Sequence, residues 1–180
     1  MTKEKDTIID VPLVNQLQDT EDKKWAEKSC GVCAIKMILA FKNPEFLKIP
    51  VMDLVKRGIE KDGYIKNVGW KHKALVDIAG SHGVKKDYQK LFYNDETKSE
   101  GLKFINKNIK SGLPVIASVH FGFDIKRGGH LIVVNGFKKS GSKIIGYFVQ
   151  SPYPEKRGHK YFVDKDEFLK GWRGGLLWLA

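Results

Sequence analysis

The chain has 180 residues, one domain's worth at roughly 100–200 residues per domain, which excludes a multidomain machine. Hydrophobic residues at 42%, aromatics at 11% and charged residues at 29% are ordinary globular proportions and exclude a disordered tail or a collagen. The net charge of +11 raises nucleic acid as a partner, but 28 of the 32 basic residues are Lys, scattered singly. Arg is the residue suited to bidentate phosphate contacts, so this excess reads as solvated surface and nucleic acid is not the expected partner.

Residues 1–7 read as frayed. The first apolar stretch, Ile8 to Val14, supports only an edge strand or an extended segment. A polar stretch, Asn15 to Lys28, leads into SCGVCAIKMILAF. There Val32, Ala34, Ile35, Ile38, Leu39 and Phe41 surround much of a helical wheel, so Gly31 to Phe41 is expected to be a largely buried helix with Cys30 at its first turn. Pro44 and Pro50 mark a break. A second helix follows over Val51 to Lys61, where Val55 and Ile59 fall four apart, and a third over Trp70 to Ser81, with Trp70, Ala74 and Ile78 on one stripe. Val84 to Tyr93 reads as extended.

A fourth helix carries a capping-box pattern, Thr97 and Glu100, then a stripe of Leu102, Ile105 and Ile109, with Gly112 and Pro114 beyond it. From Pro114 the texture changes to strands, PVIASVHF, HLIVVNGF, KIIGYFVQ and KYFV. A short helix capped near Asp164 and a last strand in GLLWLA close the chain. Helices over the first 112 residues and strands over the rest predict one α+β domain spanning 1–180 rather than alternating βαβ units.

No run reaches the ~18 apolar residues of a membrane span, and the opening MTKEKDTIID is polar where a signal peptide needs an apolar core. The chain is therefore expected to stay in the cytoplasm where it is made. A chain whose signal had been trimmed would read the same and be secreted.

Cys30 and Cys33 are too close in sequence to staple distant parts of a fold. A thioredoxin-like C-x-x-C would follow a strand, and here a polar loop precedes it; no second C-x-x-C completes a zinc site. Cys33 lies inside the apolar run and reads as a small buried hydrophobe. Cys30 lies where the unsatisfied N–H groups of a helix start favour a thiolate, and its own N–H is a natural oxyanion donor, with Gly31 allowing close approach of a carbonyl.

Five histidines could supply a base. His72 and His82 read as surface residues, His159 lies in a basic loop, and His120 reads as a core histidine. His130 differs, because two glycines precede it and an apolar strand begins with it. A turn near Ser140 and Gly141 would pair residues whose numbers sum to about 281, within a residue or two of register, setting His130 opposite Ser151, or opposite Gln150 after a one-residue slip. Either side chain could accept the imidazole N–H and orient the ring.

The order of these pieces resembles a known family. VPxxxQ, a variable polar loop, SCG opening a helix, GW near residue 70, G-x-PVIxSV, and GGH starting a strand that ends in NGF are similar to the C39-like peptidases of the papain-like cysteine protease superfamily, over residues 11 to about 152. The resemblance implies a papain-like fold, with Cys30 on a buried helix packed against a C-terminal antiparallel sheet. It also implies Cys30 as nucleophile, His130 as general base and then acid, and Gln16 as side-chain oxyanion donor, with Gln18 its nearby competitor. The family usually has Asp directly before Pro after the second strand of the hairpin, where this chain has Ser151 before Pro152. The expected activity is that of a cysteine peptidase or related amide hydrolase working through a thioester acyl-enzyme. It needs no metal or organic cofactor, and its partner is a peptide or protein substrate. The alternative is the same fold kept as a peptide-binding module with an impaired site.

Overall fold

The computed structural model describes residues 4–84, 90–92, 94 and 96–179. Strand β1, Glu4–Ile8, comes first, so residues 4–7 are not frayed: they pair antiparallel with the end of a later strand, from Glu4 opposite Ser140 to Ile8 opposite Gly136. The polar stretch after it contains two single-turn helices, α1 Gln16–Asp19 and α2 Lys23–Ala26, each capped by an Asn15 or Asp22 side chain accepting from a backbone N–H two residues on. Helix α3, Cys30–Lys42, is buried without interruption from Gly31 to Ala40, as an apolar wheel requires.

A 3₁₀ turn at Pro44–Lys48 precedes α4, Val51–Glu60, and a two-residue hairpin, β2 Tyr64–Ile65 and β3 Gly69–Trp70, precedes α5, His72–Gly80. In the span read as extended, Lys90–Phe92 forms β4, while residues 85–89 and Tyr93 lie outside the described residues. Helix α6, Lys98–Lys110, does start after Thr97, but the side-chain capping box does not form; the Thr97 hydroxyl is held instead by Asn94.

The remaining strands are β5 Val115–His120, β6 Gly129–Ser140, β7 Lys143–Glu155, β8 Gly158–Asp164 and β9 Trp172–Leu177, with α7, Lys165–Gly171, capped by Asp164 before β9. They form one antiparallel sheet in the order β4-β9-β5-β6-β7-β8, and β1 extends the β5 side of long β6. Alternation along β6 divides the core. Leu131 and Val133 face α3, α4 and α5 with Ile116 and Leu177, whereas Ile132 and Val134 face α6 and α7 with Val149, Phe168 and Trp172. The α+β expectation therefore holds, with helices covering both faces of the sheet.

The Asn135-Gly136 pair of the NGF motif has a local cause. Asn135 exchanges two backbone and side-chain bonds with Ile9, and a side chain on Gly136 would run into the Thr7 carbonyl and the Ile8 Cα of β1. Overpacking against backbone typically costs about 1–3 kcal/mol. Gly136→Ala is expected to lower the melting temperature by about 2–10 °C for a chain of this size, measured by thermal circular dichroism.

Candidate active site

Ser29 anchors the start of α3. Its hydroxyl bonds the Ala26 carbonyl at 3.2 Å and the Thr20 hydroxyl at 2.9 Å, fixing the chain just before Cys30. Gly31 is spent on packing rather than on substrate approach: a Cβ there would meet Leu75 and Leu131 side-chain atoms at 2.8 and 3.0 Å. Its absence lets α3 come down on β6, so that the Leu131 backbone N–H acts on the Cys30 sulfur. A cleft of about 220 Å³ opens at this point, lined by Cys30 and His130 together with Tyr64, Trp70, Ser118 and Arg173.

His130 is 5% exposed. Its Nε2 lies 3.0 Å from Ser151 Oγ, and the edge of Phe121 packs against the ring at a centroid distance of 5.0 Å. The strand register lies within the residue or two allowed around the value read from the turn: Ser140 faces Lys143 and Val133 faces Gln150, each a sum of 283, so the turn sits one residue further on than read. Ser151 is nevertheless the hydrogen-bond partner, because His130 stands beyond the last paired residues, where side chains meet diagonally. Gln150 points to the other face, its amide on the Pro12 carbonyl at 3.0 Å and against Met37 of α3.

Gln16 is 1% exposed and donates to the Ala26 carbonyl at 2.7 Å, while its Oε1 has no partner. It is not among the residues lining the cleft, and neither is Gln18. The structure thus brings Cys30, His130 and Ser151 to one place and holds Gln16 behind the α3 start.

The electrostatics differ from the helix-terminus expectation. Cys30 keeps some exposed surface at the cleft, yet enclosure of the sulfur is the largest influence and raises its thiol pKa, against the lowering by the backbone N–H groups of Leu131, Gly31 and Cys30. Burial pushes His130 down to about 3. Both influences favour the uncharged pair of thiol and imidazole, and no hydrogen bond joins Cys30 to His130 among the described residues. Burial also pushes Cys33 up to about 12, consistent with an inert core thiol.

Several residues near the site were not legible as such. His72, read as surface, lines the cleft. His159 Nδ1 is 2.8 Å from the Ser151 carbonyl. Trp70 is held by a bond from its Nε1 to the Lys28 carbonyl at 2.7 Å and packs edge-on to Tyr64, forming the aromatic wall. Arg173 lies over Gly129, its guanidinium in the space a Cβ there would take. Glu155 brings a carboxylate oxygen to 3.9 Å from His130 Nε2. Strand alternation gave no signal of it, since a regular strand would carry Glu155 well away from Ser151. Among the described residues no three or more His, Cys, Asp or Glu converge as a metal site would require, and no helix is long and apolar enough to cross a membrane.

Solved structures share this architecture. The peptidase domain of Streptococcus ComA, a bifunctional ABC transporter of a quorum-sensing pathway, matches with TM-score 0.57 at 17% identity, over 86% of this chain and 92% of that one. A double glycine motif protease from an AMS/PCAT transporter, solved with its leader peptide, matches with TM-score 0.56 at 19% identity, over 96% and 94%. The Streptococcus mutans ComA peptidase domain matches with TM-score 0.52 at 18% identity, over 93% and 98%. No curated protein matches the chain. These structural matches show the papain-like C39 fold. With residues 8–174 matching its model, the chain belongs to the Peptidase_C39 like family.

Proposed function

We propose that the chain is a cysteine peptidase or related amide hydrolase acting through an acyl-enzyme on Cys30. The observation that carries this reading is the juxtaposition of Cys30, at the N-terminus of buried α3, and His130, oriented by Ser151, on the walls of one cleft. As the sulfur attacks a substrate carbonyl, neutral His130 takes the thiol proton, forming the C–S bond and an oxyanion. The Cys30 N–H is the natural donor to that oxygen, and a Gln16 amide N–H is the second if it turns from Ala26. His130 then returns the proton to the leaving amine as the C–N bond breaks, and water resolves the thioester by the same path reversed. A peptide substrate is supported by the fold neighbour solved with a leader peptide, and by the cleft wall of Tyr64 and Trp70.

A second reading, a peptide-binding module, is favoured by one specific finding: the thiol is raised by burial and has no hydrogen bond to His130. Digestion of a complex peptide library, read by mass spectrometry of new termini, separates the two. The peptidase reading expects new termini from the natural chain and none from Cys30→Ala. Absence of cleavage, with the same peptides retained on both proteins, would establish the binding module.

A further inference from the structure

The site lacks the carboxylate that normally orients a catalytic histidine, since the residue beside His130 is Ser151. The far end of β7 supplies one. Pairing of β7 with β8 runs from Gly146 opposite Asp164 to Gln150 opposite Lys160, then resumes at Glu155 opposite Gly158, leaving four residues of β7 against one of β8. A regular strand would carry Glu155 about 13 Å from Ser151. The slack folds it back, and its Oε1 reaches 3.9 Å from His130 Nε2.

The surroundings of this carboxylate are unusual. Its side chain is 6% exposed, and Oε1 is buried with no hydrogen bond. Ser151 Oγ accepts the Tyr153 N–H at 3.2 Å and lies 3.0 Å from His130 Nε2. A hydroxyl has two acceptor positions and one proton. With Tyr153 on one acceptor position, two arrangements remain: the imidazole fills the second and the hydroxyl proton goes elsewhere, or the hydroxyl donates to the imidazole. A neighbouring carboxylate that takes the hydroxyl proton selects the first.

We propose that Glu155 is the positioning acid of this site, acting through the Ser151 hydroxyl to hold His130 as the Nε2–H tautomer and so leave Nδ1 as the base. The catalytic consequence rests on the peptidase reading; the tautomer does not. No net chemistry is added, because each proton stays on its own oxygen or nitrogen: Nε2–H donates to Ser151, and Ser151 O–H donates to Glu155. The other groups facing this unit are the Tyr161 hydroxyl, the Arg127 and Arg157 guanidiniums beside Glu155, and His159 on the Ser151 carbonyl, while Cys30 and Arg173 share the cleft with His130. Burial raises the Glu155 carboxyl, with Ser151, Tyr161, Arg157 and Arg127 opposing it.

The test is the His130 side-chain nitrogen spectrum of the ¹⁵N-labelled full chain at pH 7. The natural chain is expected to show the Nε2–H form, Glu155→Gln a shift to the Nδ1–H form, and Glu155→Asp a return toward the natural pattern. In the catalytic assay Glu155→Gln is expected to lower kcat by roughly 10²–10⁴, the scale seen when a triad acid loses its charge, with little change in KM. Should Glu155→Gln fail to fold, lowering the pH of the natural chain from 7 to 4 gives the same answer, since protonating Glu155 precedes protonation of buried His130. An identical tautomer in Glu155→Gln, or one that does not change over that range, would overturn the proposal. A tautomer switch in a chain that cleaves no peptide would support it and retire only the peptidase reading.

Discussion

On the proposed peptidase reading, Cys30→Ala is expected to lower peptide hydrolysis by about 10⁶ in kcat, His130→Ala by nearly as much, and the double variant by no more than the larger single loss. The reason lies in the resting charge state. A thiolate–imidazolium pair would leave some nucleophile behind when the histidine is removed. Here burial raises the Cys30 thiol and depresses His130 to about 3, so both influences favour the protonated sulfur, which on that reading gives its proton to the imidazole as it attacks. Two groups that act only together lose their effect together. Measuring kcat and KM for the three variants decides it, and losses that multiply would mean independent roles.

The second large effect is on acid stability. The folded-state pKa of His130 lies below the unfolded value of about 6.5, so between those values the unfolded chain binds more protons and stability falls as pH falls. From pH 7 to pH 4 this amounts to about 3 kcal/mol at 1.36 kcal/mol per pH unit below 6.5. His130 is 5% exposed, so solvent screens little of it. Glu155 acts with the opposite sign: its raised carboxyl takes up a proton more readily in the folded chain, which offsets part of the loss at the acid end. Urea unfolding at both pH values should therefore show a markedly flatter pH dependence in His130→Gln than in the natural chain. Equal slopes would mean that His130 is solvated.

The two effects share a cause. Enclosing His130 among Phe121, Ser151 and Glu155 removes the water that would stabilise its charge, and the same enclosure gives the ring one orientation. Phe121 is itself covered by the Arg127 guanidinium, 4.2 Å from its centroid.

What the sequence by itself determined is local. The apolar wheel after Ser29 made α3 a buried helix with Cys30 at its start, β-branched runs marked β5 to β8, and Gly-Gly-His placed a polar ring at the head of an apolar strand. These follow from periodicity and turn chemistry acting over a few residues. Tertiary structure decided the rest. The pairing of β1 with β6 depends on partners more than 120 residues apart, and the register beside His130 follows from a turn that places Ser140 opposite Lys143. Placing Glu155 beside His130 needed the slack in β7, and sending the Gln16 amide to Ala26 needed the folded α2 turn. The charge state of Cys30 was decided there too. The field of a helix terminus is a local property and favours the thiolate, but the desolvation that outweighs it is created only when β6 closes over the sulfur.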